Sequence, residues 1–381
     1  MEGKLKKRAL VTGASGKIGT LLVTELLRQN FKVRVLLRKQ SLYPSNEFIF
    51  SSRSCSSNTF SYPSPVFLVS PDVEIVWGDI TDYHSVLDAT SGVDYIFHLA
   101  ALLHINNPDP SLYGKYYDIN VIGTRNVFDA ALKSGVQRVI LFSTISVYGS
   151  SSINSLNSDR AIYSSNQVVN NIFPNKDIFY ESSPVNPLSI YSKTKVLAER
   201  YQSSFVTILR LASVYGTRVT GNYLRLIEAV KRGFFIIPVN KEGFSVYRTL
   251  IHENDVVLGA ILAATHPEAA GKIYNLTDGD IHSLEDIVKA VADAFSVNVR
   301  ILRIPAKPIH KFSNVIRRYN RINISPISRN IEKALSAVDK LMENIAVDGH
   351  KIQIELGFKP QYDLQSGWYH ALADKKAVSY K

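Results

Sequence analysis

The first half of the chain alternates short β-branched runs with amphipathic stretches. Arg8–Thr12 is typical of a buried strand, Gly19–Gln29 has a helical period, and Lys32–Leu37 is the next apolar run. The same alternation predicts strands at Val73–Trp77, Tyr95–Leu99, Arg138–Ser143 and Thr207–Leu211, and helices at Ser85–Thr90 and Asn120–Ser134. Strands that alternate with helices build a parallel sheet between two helical layers. The sequence therefore predicts an α/β fold with a doubly wound parallel sheet of at least six strands.

Two segments interrupt this alternation. Ser41–Ser70 holds ten serines, and Ser150–Pro174 holds seven serines and five asparagines, without a helical or a strand period. We expect both to be surface insertions.

The alternation weakens from about Thr220 onward, which indicates a smaller second domain. Helical stretches are predicted there at Asn222–Arg232, Leu284–Phe295 and Ile331–Asn344. We expect residues 1–219 to form the sheet domain, with 245–265 returning to it. Residues 220–244 and 266–381 are then expected to form the second domain, which would bind the substrate.

A glycine-rich turn, Thr12–Gly19, joins the first predicted strand to the first predicted helix. Glycine at 13, 16 and 19 permits a tight turn, a close backbone approach to a pyrophosphate, and packing of the helix on the strand. The helix N-terminus then faces the anion. The turn predicts a Rossmann-type dinucleotide site, and the residues expected to contact the cofactor are Gly13, Ser15, Gly16, Lys17, Ile18 and Gly19.

The end of the second strand bears on which dinucleotide is bound. An acidic residue there usually binds the adenosine ribose of NAD, whereas this strand is followed by Arg38 and Lys39. Arg38 could clamp a 2′-phosphate through charge-assisted hydrogen bonds. NADP is therefore favoured and NAD stays open, because the two cations could equally be ordinary solvated charges.

Tyr191 and Lys195 stand four residues apart, which places a phenol and an ammonium on one helix face. A nearby cation stabilises a phenolate, so we expect Lys195 to lower the pKa of Tyr191. Such pairs also occur on ordinary surfaces. Thr144 strengthens the catalytic interpretation, because it follows a predicted parallel strand at the sheet edge where α/β proteins bind ligands.

The net charge of +11 comes mainly from one segment. Between Asn298 and Asn330 there are eight basic residues and no acidic residue, and the rest of the chain carries +3. This segment could contact a substrate diphosphate, or it could contact an anionic membrane peripherally. No recognition module accompanies it, so nucleic-acid binding is not expected.

Cysteine usage and the first residues indicate the compartment. Cys55 is the single cysteine and cannot form an internal disulfide, and no Cys/His cluster has the spacing of a metal site. The apolar run after the basic start is too short for a signal peptide. We expect a cytoplasmic protein without a metal, and a homodimer stays open.

Taken together and in order, these motifs resemble the NAD-dependent epimerase/dehydratase family of extended short-chain dehydrogenases/reductases, most of whose members act on nucleotide-diphosphate sugars. The resemblance covers about residues 8–264 and extends less surely to about 362. The motifs that carry it are Thr12–Gly19, Gly78–Asp82, His98–Ala101, Asn120–Thr124, Phe142–Gly149, the Tyr191/Lys195 pair, Leu209–Arg210 with Val214–Gly216, and Arg248–His252.

The resemblance implies roles for individual residues. Thr144, Tyr191 and Lys195 would be the catalytic trio, and Tyr191 and Lys195 would also contact the cofactor. His98 and His252 would be structural. Further cofactor contacts are implied at Asp79, Ile80, Leu99, Ala100, Ala101 and Asn120, where Asn120 supports the active-site helix. Substrate contacts are implied at Thr144, Ser146, Asn222 and Arg248.

Departures from the family pattern narrow the function. Related 4,6-dehydratases place Asp and Glu directly after the catalytic hydroxyl residue, whereas this chain has Ile145 and Ser146. Ser213 replaces an asparagine of the 4-epimerases. We therefore expect a nucleotide-sugar epimerase or 4-ketoreductase with Tyr191 as acid/base, and not a dehydratase.

Two alternatives share the amino-terminal motifs. One is an NADP-dependent carbonyl reductase or 3β-hydroxysteroid-type dehydrogenase, whose substrate offers no diphosphate to Arg248. The other is a non-catalytic nucleotide-sensing protein, which the intact Thr144, Tyr191 and Lys195 disfavour.

Overall fold

The computed structural model describes residues 6–38, 70–103, 109–149, 151–152, 178–217, 221–239, 246–305 and 343–377. The strands of these residues are β1 Arg8–Thr12, β2 Lys32–Leu37, β3 Val73–Trp77, β4 Tyr95–His98, β5 Arg138–Thr144, β6 Ser151–Ser152, β7 Ile178–Phe179, β8 Val206–Leu211, β9 Ser213–Tyr215, β10 Phe234–Val239, β11 Tyr247–Arg248, β12 Leu250–His252, β13 Ile273–Leu276, β14 His282–Ser283, β15 Arg300–Pro305, β16 Glu343–Asn344 and β17 Ala346–Val347.

The helices are α1 Lys17–Arg28, α2 Tyr83–Thr90, α3 Tyr113–Tyr117, α4 Gly123–Lys133, α5 Ile190–Glu199, α6 Gly221–Lys231, α7 Glu253–Thr265, α8 Leu284–Phe295, α9 His350–Leu356 and α10 Leu364–Ala377. A π-helical turn, Asp118–Ile122, joins α3 to α4, and a 3₁₀ helix, Ile145–Tyr148, follows β5.

Seven parallel strands form the central sheet in the order β13-β8-β5-β4-β1-β2-β3. The chain moves outward from β1 in one direction to β3 and in the other to β13, so the topology is doubly wound as predicted. The strand order reverses between β1 and β4, where open α/β sheets bind ligands beyond the carboxyl ends of their strands. The turn after Thr12 and the loop after His98 meet at this point.

The sheet is stable because its strands are apolar on both faces, as a sheet covered by two helical layers requires. Ala9, Leu10 and Val11 of β1 are fully buried. Helix α1 covers one face with Leu22, Val23 and Leu26, and α4 covers the other.

A second core lies outside the central sheet. It is built from α6, α8, α10 and the parallel pair β10–β15, around the fully buried Trp368. Short strand pairs connect this unit to the first, among them β9 with β12 and β11 with β14.

Two sequence-based boundaries need correction. The helix predicted at Ile331–Asn344 is wrong at its end, because Glu343 and Asn344 form β16 and pair with β6; residues 331–342 lie outside the described residues. A tertiary partner has overridden a local helical period there. The second domain was also expected to resume at residue 266. Ile273–Leu276, however, pairs with β8 as an edge strand, so this part of the chain still belongs to the central sheet.

The ends of the Ser150–Pro174 segment are tied to the C-terminal region. β6 lies at the start of the segment and pairs with β16, while β7 follows the segment and pairs with β17. Residues 153–177, and 41–69 of the other predicted insertion, lie outside the described residues.

Candidate functional site

The glycine turn packs directly against the loop that follows β4. Gly13 has a φ of +73°, and a Cβ at this position would lie 2.8 Å from the amide nitrogen of Ala100 and 3.0 Å from the carbonyl carbon of Leu99. A Cβ on Gly19 would collide with the backbone of Gly13. The structure thus brings Leu99 and Ala100 next to the turn, as the sequence predicts for a cofactor cleft, and Ala101 follows them half-buried.

The N-terminus of α1 suits an anion. Gly16 is the N-cap residue, the first turn holds no acidic residue, and among the described residues no side chain caps the helix. Ser15 and Gly16 are exposed, whereas Ile18 packs against the core. Free backbone N–H groups and the helix dipole favour a phosphate at such an end. The turn therefore fits the pyrophosphate of a dinucleotide.

Lys17 has a partner that the sequence did not reveal. Its Nζ lies 3.0 Å from Oε2 of Glu253, the buried first residue of α7. Glu253 follows His252 in a family motif, and no sequence signal singled it out.

His98 is held in one tautomer by its neighbours. The Thr124 hydroxyl donates to the backbone oxygen of Asn120, so it accepts from Nε2 of His98 at 3.0 Å. Nδ1 of His98 lies 2.8 Å from the Thr12 hydroxyl, which accepts from the Ala100 amide. Burial lowers the pKa of His98 to about 3, and the nearby Lys195 contributes to this shift. The neutral ring of His98 helps to shape the loop that follows β4, which accords with a structural role for this residue.

Asp79 and Ile80 follow β3 at the same edge of the sheet. Oδ1 of Asp79 accepts hydrogen bonds of 2.9 Å from the backbone and hydroxyl of Thr81. Ile80 is buried against Gly123, and its carbonyl accepts from Asn126. The carboxylate therefore shapes its own turn, beside the position expected for the adenine.

Asn120 joins the loop that follows β4 to α5. Its Oδ1 accepts from the backbone of Leu102 at 2.7 Å, and its Nδ2 donates to the Leu102 carbonyl and to Oγ1 of Thr194. Asn120 lies in the π-helical turn, which replaces part of the single helix predicted at Asn120–Ser134. This bonding matches the supporting role that the family resemblance implies.

The predicted catalytic residues lie on two elements that pack together. Thr144 ends β5, its hydroxyl donates to Oγ of Ser146 and accepts from the Ser146 amide, and α5 packs against β5 and the following 3₁₀ helix. Tyr191 and Lys195 stand one turn apart on α5, half-buried and buried respectively. Ser189 begins α5 with a capping box that it shares with Ser192.

Burial dominates the proton equilibria of this pair. It raises the pKa of Tyr191 to about 12, with a contribution from Tyr116, and it lowers the pKa of Lys195 to about 8. The tyrosine shift is opposite to the lowering that the Tyr/Lys spacing predicts. The reason is that burial makes the charged phenolate costly, and this cost outweighs the stabilisation expected from a neighbouring cation.

Sequence reasoning did not identify a buried ion pair that lies one helical turn beyond the Tyr191/Lys195 pair. Glu199 follows Lys195 by one helical turn and binds Arg210 of β8 at 2.7 Å. Glu199 also accepts a 2.5 Å bond from Ser143 of β5. The Leu209–Arg210 motif pointed to this arginine, but its partner on α5 could be identified only from the packing.

The remaining predicted residues are more peripheral. Arg38 is exposed directly after β2, and it has no ion pair with any residue that the structure describes. Arg248 is half-buried on β11. Burial raises the pKa of Tyr223 on α6, and the side chains of Arg248 and Ser213 partly offset this rise. Asn222 lies in the first turn of α6, and its side chain is outside the description.

Neither a metal site nor a membrane span is found in the described part of the chain. No group of three or more His, Cys, Asp or Glu side chains there could hold a metal ion. No helix there is long and apolar enough to cross a bilayer.

Comparison with known proteins gives a consistent result. Residues 9–277 match the sequence model of the NAD dependent epimerase/dehydratase family. The chain is 27% identical over 302 residues to a 3 beta-hydroxysteroid dehydrogenase/Delta 5-->4-isomerase of Mycobacterium tuberculosis, covering 75% of this chain and 69% of that protein. It is 24% identical over 371 residues to a UDP-glucose 4-epimerase of Vibrio cholerae, covering 96% and 94%.

Among solved structures, the complex of MoeE5 with UDP-glucuronic acid and NAD has the same fold. It superposes with a TM-score of 0.64 at 22% sequence identity, covering 97% of this chain and 99% of that one.

Proposed function

Because the chain belongs to the NAD-dependent epimerase/dehydratase family, we propose that it is a nucleotide-sugar epimerase or 4-ketoreductase. The observation that carries the proposal is the placement of Thr144, Tyr191 and Lys195. They lie on two packed elements at the same sheet edge as the glycine turn. The Vibrio relative is a UDP-glucose 4-epimerase and the MoeE5 structure holds UDP-glucuronic acid, which supports a nucleotide sugar as substrate.

The residues of the site divide the chemistry between them. Tyr191 exchanges a proton with the carbinol oxygen of the sugar, Thr144 positions that oxygen through its hydroxyl, and Lys195 holds the cofactor ribose. Bound nicotinamide would accept or return the hydride. Oxidation needs Tyr191 as phenolate, whereas reduction needs it as phenol.

The protonation state of Tyr191 suits the reductive half-reaction, which both candidate activities use. With its pKa raised to about 12, Tyr191 is a phenol at neutral pH and can donate its proton to a developing alkoxide. A 4-ketoreductase uses this half-reaction once, and an epimerase uses both directions. The exposed Arg38 favours the ketoreductase within the class, because enzymes that recycle their cofactor more usually keep NAD.

Dehydration is disfavoured at the same positions. Ile145 is buried and Ser146 hydrogen-bonds to Thr144, so neither side chain offers the acid and base that elimination at C5 and C6 requires.

We propose NADP as the preferred cofactor, with NAD as the alternative. Arg38 is exposed at the end of β2, where a 2′-phosphate on the adenosine ribose would lie. Several similar structures contain NAD, which supports the alternative.

A second candidate is a 3β-hydroxysteroid-type dehydrogenase, favoured by the identity to the Mycobacterium relative. Arg248 distinguishes the two, because a sterol has no diphosphate to pair with it. The unit around Trp368, which carries Asn222 on α6, is proposed as the substrate domain.

A substrate screen tests the proposal. The protein is incubated with UDP-, GDP- and dTDP-sugars, and in parallel with 3β-hydroxysteroids, with NADPH, NADP or NAD, and the products are identified. Turnover of a nucleotide sugar and not of steroids supports the proposal. Steroid oxidation alone would replace it with the second candidate, and cofactor binding without any turnover would favour a sensor.

Peripheral contact with an anionic membrane stays a prediction. Only residues 298–305 of the basic segment are described, and Arg303 there donates hydrogen bonds to Glu285, so contact of this segment with a substrate diphosphate also stays a prediction. The β10–β15 pair exposes Phe234, Ile236 and Leu302. Sedimentation with anionic vesicles at low and high salt tests the contact, because salt screens it. The cytoplasmic location, the homodimer and the absence of nucleic-acid binding also stay predictions.

A further inference from the structure

Glu253 joins three elements at the edge of the candidate cofactor site. Its Oε2 lies 3.0 Å from Nζ of Lys17 at the start of α1. Its Oε1 accepts hydrogen bonds of 2.6 Å from the Thr217 amide and 2.7 Å from the Thr217 hydroxyl. The Glu253 side chain is 2% exposed and that of Lys17 is 28% exposed, so the carboxylate is shielded from solvent while the lysine reaches it.

The backbone fixes this arrangement. β9 and β12 run parallel with His252 opposite Tyr215, so the next residues, Glu253 and Gly216, also lie side by side. A Cβ on Gly216 would collide with the Glu253 carboxyl group. The loop after β9 is therefore pressed onto this carboxylate, and α1 packs against α7.

We propose that Glu253 is a positioning residue that ties the dinucleotide turn to the loop leading to α6. Lys17 then serves the cofactor by neutralising Glu253, and not by contacting the pyrophosphate. The inference rests on the proposed function, because it assumes that the turn binds a dinucleotide.

Electrostatics supports this assignment. The N-terminus of α1 is where an anion is expected, and a buried carboxylate beside it would repel that anion. The ion pair with Lys17 removes the repulsion. The same carboxylate orders Thr217, and residue 221, four positions later, begins the helix whose first turn holds Asn222. One side chain thus connects the cofactor turn to Thr217, which lies close in sequence to the proposed substrate helix.

A double-mutant cycle on cofactor binding distinguishes neutralisation from direct contact. Lys17→Met leaves the carboxylate unpaired, so we expect NADP to bind about ten-fold or more weakly. Glu253→Gln keeps an oxygen for Thr217 and should bind within about three-fold of the unmodified protein, as should Lys17→Arg. The combination of Lys17→Met with Glu253→Gln should recover most of the lost affinity.

Direct contact gives the opposite pattern. If Lys17 bound the pyrophosphate, the double variant would stay as weak as Lys17→Met, and the neutralisation would be refuted. Lys289 and Glu285 on α8 form a comparable pair at 2.8 Å with a more exposed lysine, and K289M and E285Q serve as matched controls that should leave NADP affinity unchanged. Thermal melting confirms that each variant is folded.

Hydrogen exchange tests the link to α6. In the unmodified protein, NADP should slow amide exchange at Thr217 and in residues 221–231. In Glu253→Ala, which cannot hold Thr217, this effect should disappear. Unchanged protection in Glu253→Ala would overturn the link. If the unmodified protein bound neither NADP nor NAD, the proposed function itself would fail and this inference with it.

Discussion

The cofactor side and the substrate side of the molecule are assembled differently. On the cofactor side, Gly13 and Ala100 follow β1 and β4, Thr144 ends β5, and these are neighbouring strands of one sheet whose short loops bring the residues together. On the substrate side, the core extends from Tyr215 to Leu372 along the chain, and two-residue or three-residue strand pairs connect it to the sheet. Local pattern specifies the first side, whereas long-range packing specifies the second.

Tyr191→Phe should have the largest effect, and it affects the chemistry of the cofactor side alone. Removing a general acid typically costs about 10² to 10⁴ in rate, while the phenyl ring keeps the packing. We expect kcat to fall by that factor and NADP affinity to be unchanged. Tyr369→Phe, at an exposed tyrosine of α10, is the control. Retention of more than a tenth of the activity would refute the acid/base assignment.

Trp368→Ala should damage the substrate side. Trp368 is fully buried, stacks on Tyr215 with ring centroids 4.7 Å apart, and meets Tyr223 edge-on. Such truncations typically cost about 3 to 5 kcal/mol in unfolding free energy. If the two sides fold as separate units, substrate turnover should be lost at a temperature where NADP still binds. Simultaneous loss of both would show that the sides are one cooperative unit.

Arg38→Asp examines the cofactor side at its exposed edge. Losing a charge-assisted phosphate contact and adding repulsion should shift the NADP/NAD preference by about 1.5 to 3 kcal/mol. The expected outcome is a reversed order of dissociation constants, measured by calorimetry. Equal affinities for NADP and NAD in the unmodified protein would refute the clamp.

Gly13→Ala tests how closely the turn and the β4 loop approach each other. A φ of +73° and the 2.8 Å approach to Ala100 both oppose a Cβ, so we expect a loss of about 1 to 3 kcal/mol in stability and weaker NADP binding. Gly114→Ala on α3 is the matched control, because its Cβ would meet nothing within 4 Å. Equal melting temperatures for the two variants would contradict the steric account.

The pH dependence of stability should show the buried His98. Because its pKa falls from the ordinary 6.5 to about 3, the unfolded chain takes up a proton between these values that the folded chain does not. His98 therefore contributes a loss of stability as pH falls from 6.5 toward 3, by at most about 1.4 kcal/mol per pH unit. The unfolding free energy of His98→Gln, measured with denaturant at several pH values, should fall less steeply as the pH decreases from 6.5 toward 3. An identical dependence on pH in the variant and the unmodified protein would refute this assignment.

Sequence reasoning succeeded where the periodic pattern and the fold agree. Lys32–Leu37, Val73–Trp77 and Leu284–Phe295 have the bounds that were predicted. It failed at Glu343–Asn344, where pairing with β6 replaced a helical period. The direction of the Tyr191 pKa shift was also missed, since burial has no signature in the spacing of two residues.

The sequence by itself determined the doubly wound sheet, the glycine turn and the i, i+4 placement of Tyr191 and Lys195, because each depends on residues close together in the chain. Tertiary structure alone decided the partners of the charged groups: Glu253 for Lys17, and Glu199 for Arg210. It also decided the direction of the Tyr191 pKa shift, because burial raises this pKa. These outcomes depend on which distant segments exclude water from a side chain, and that is fixed only when the strands and helices pack.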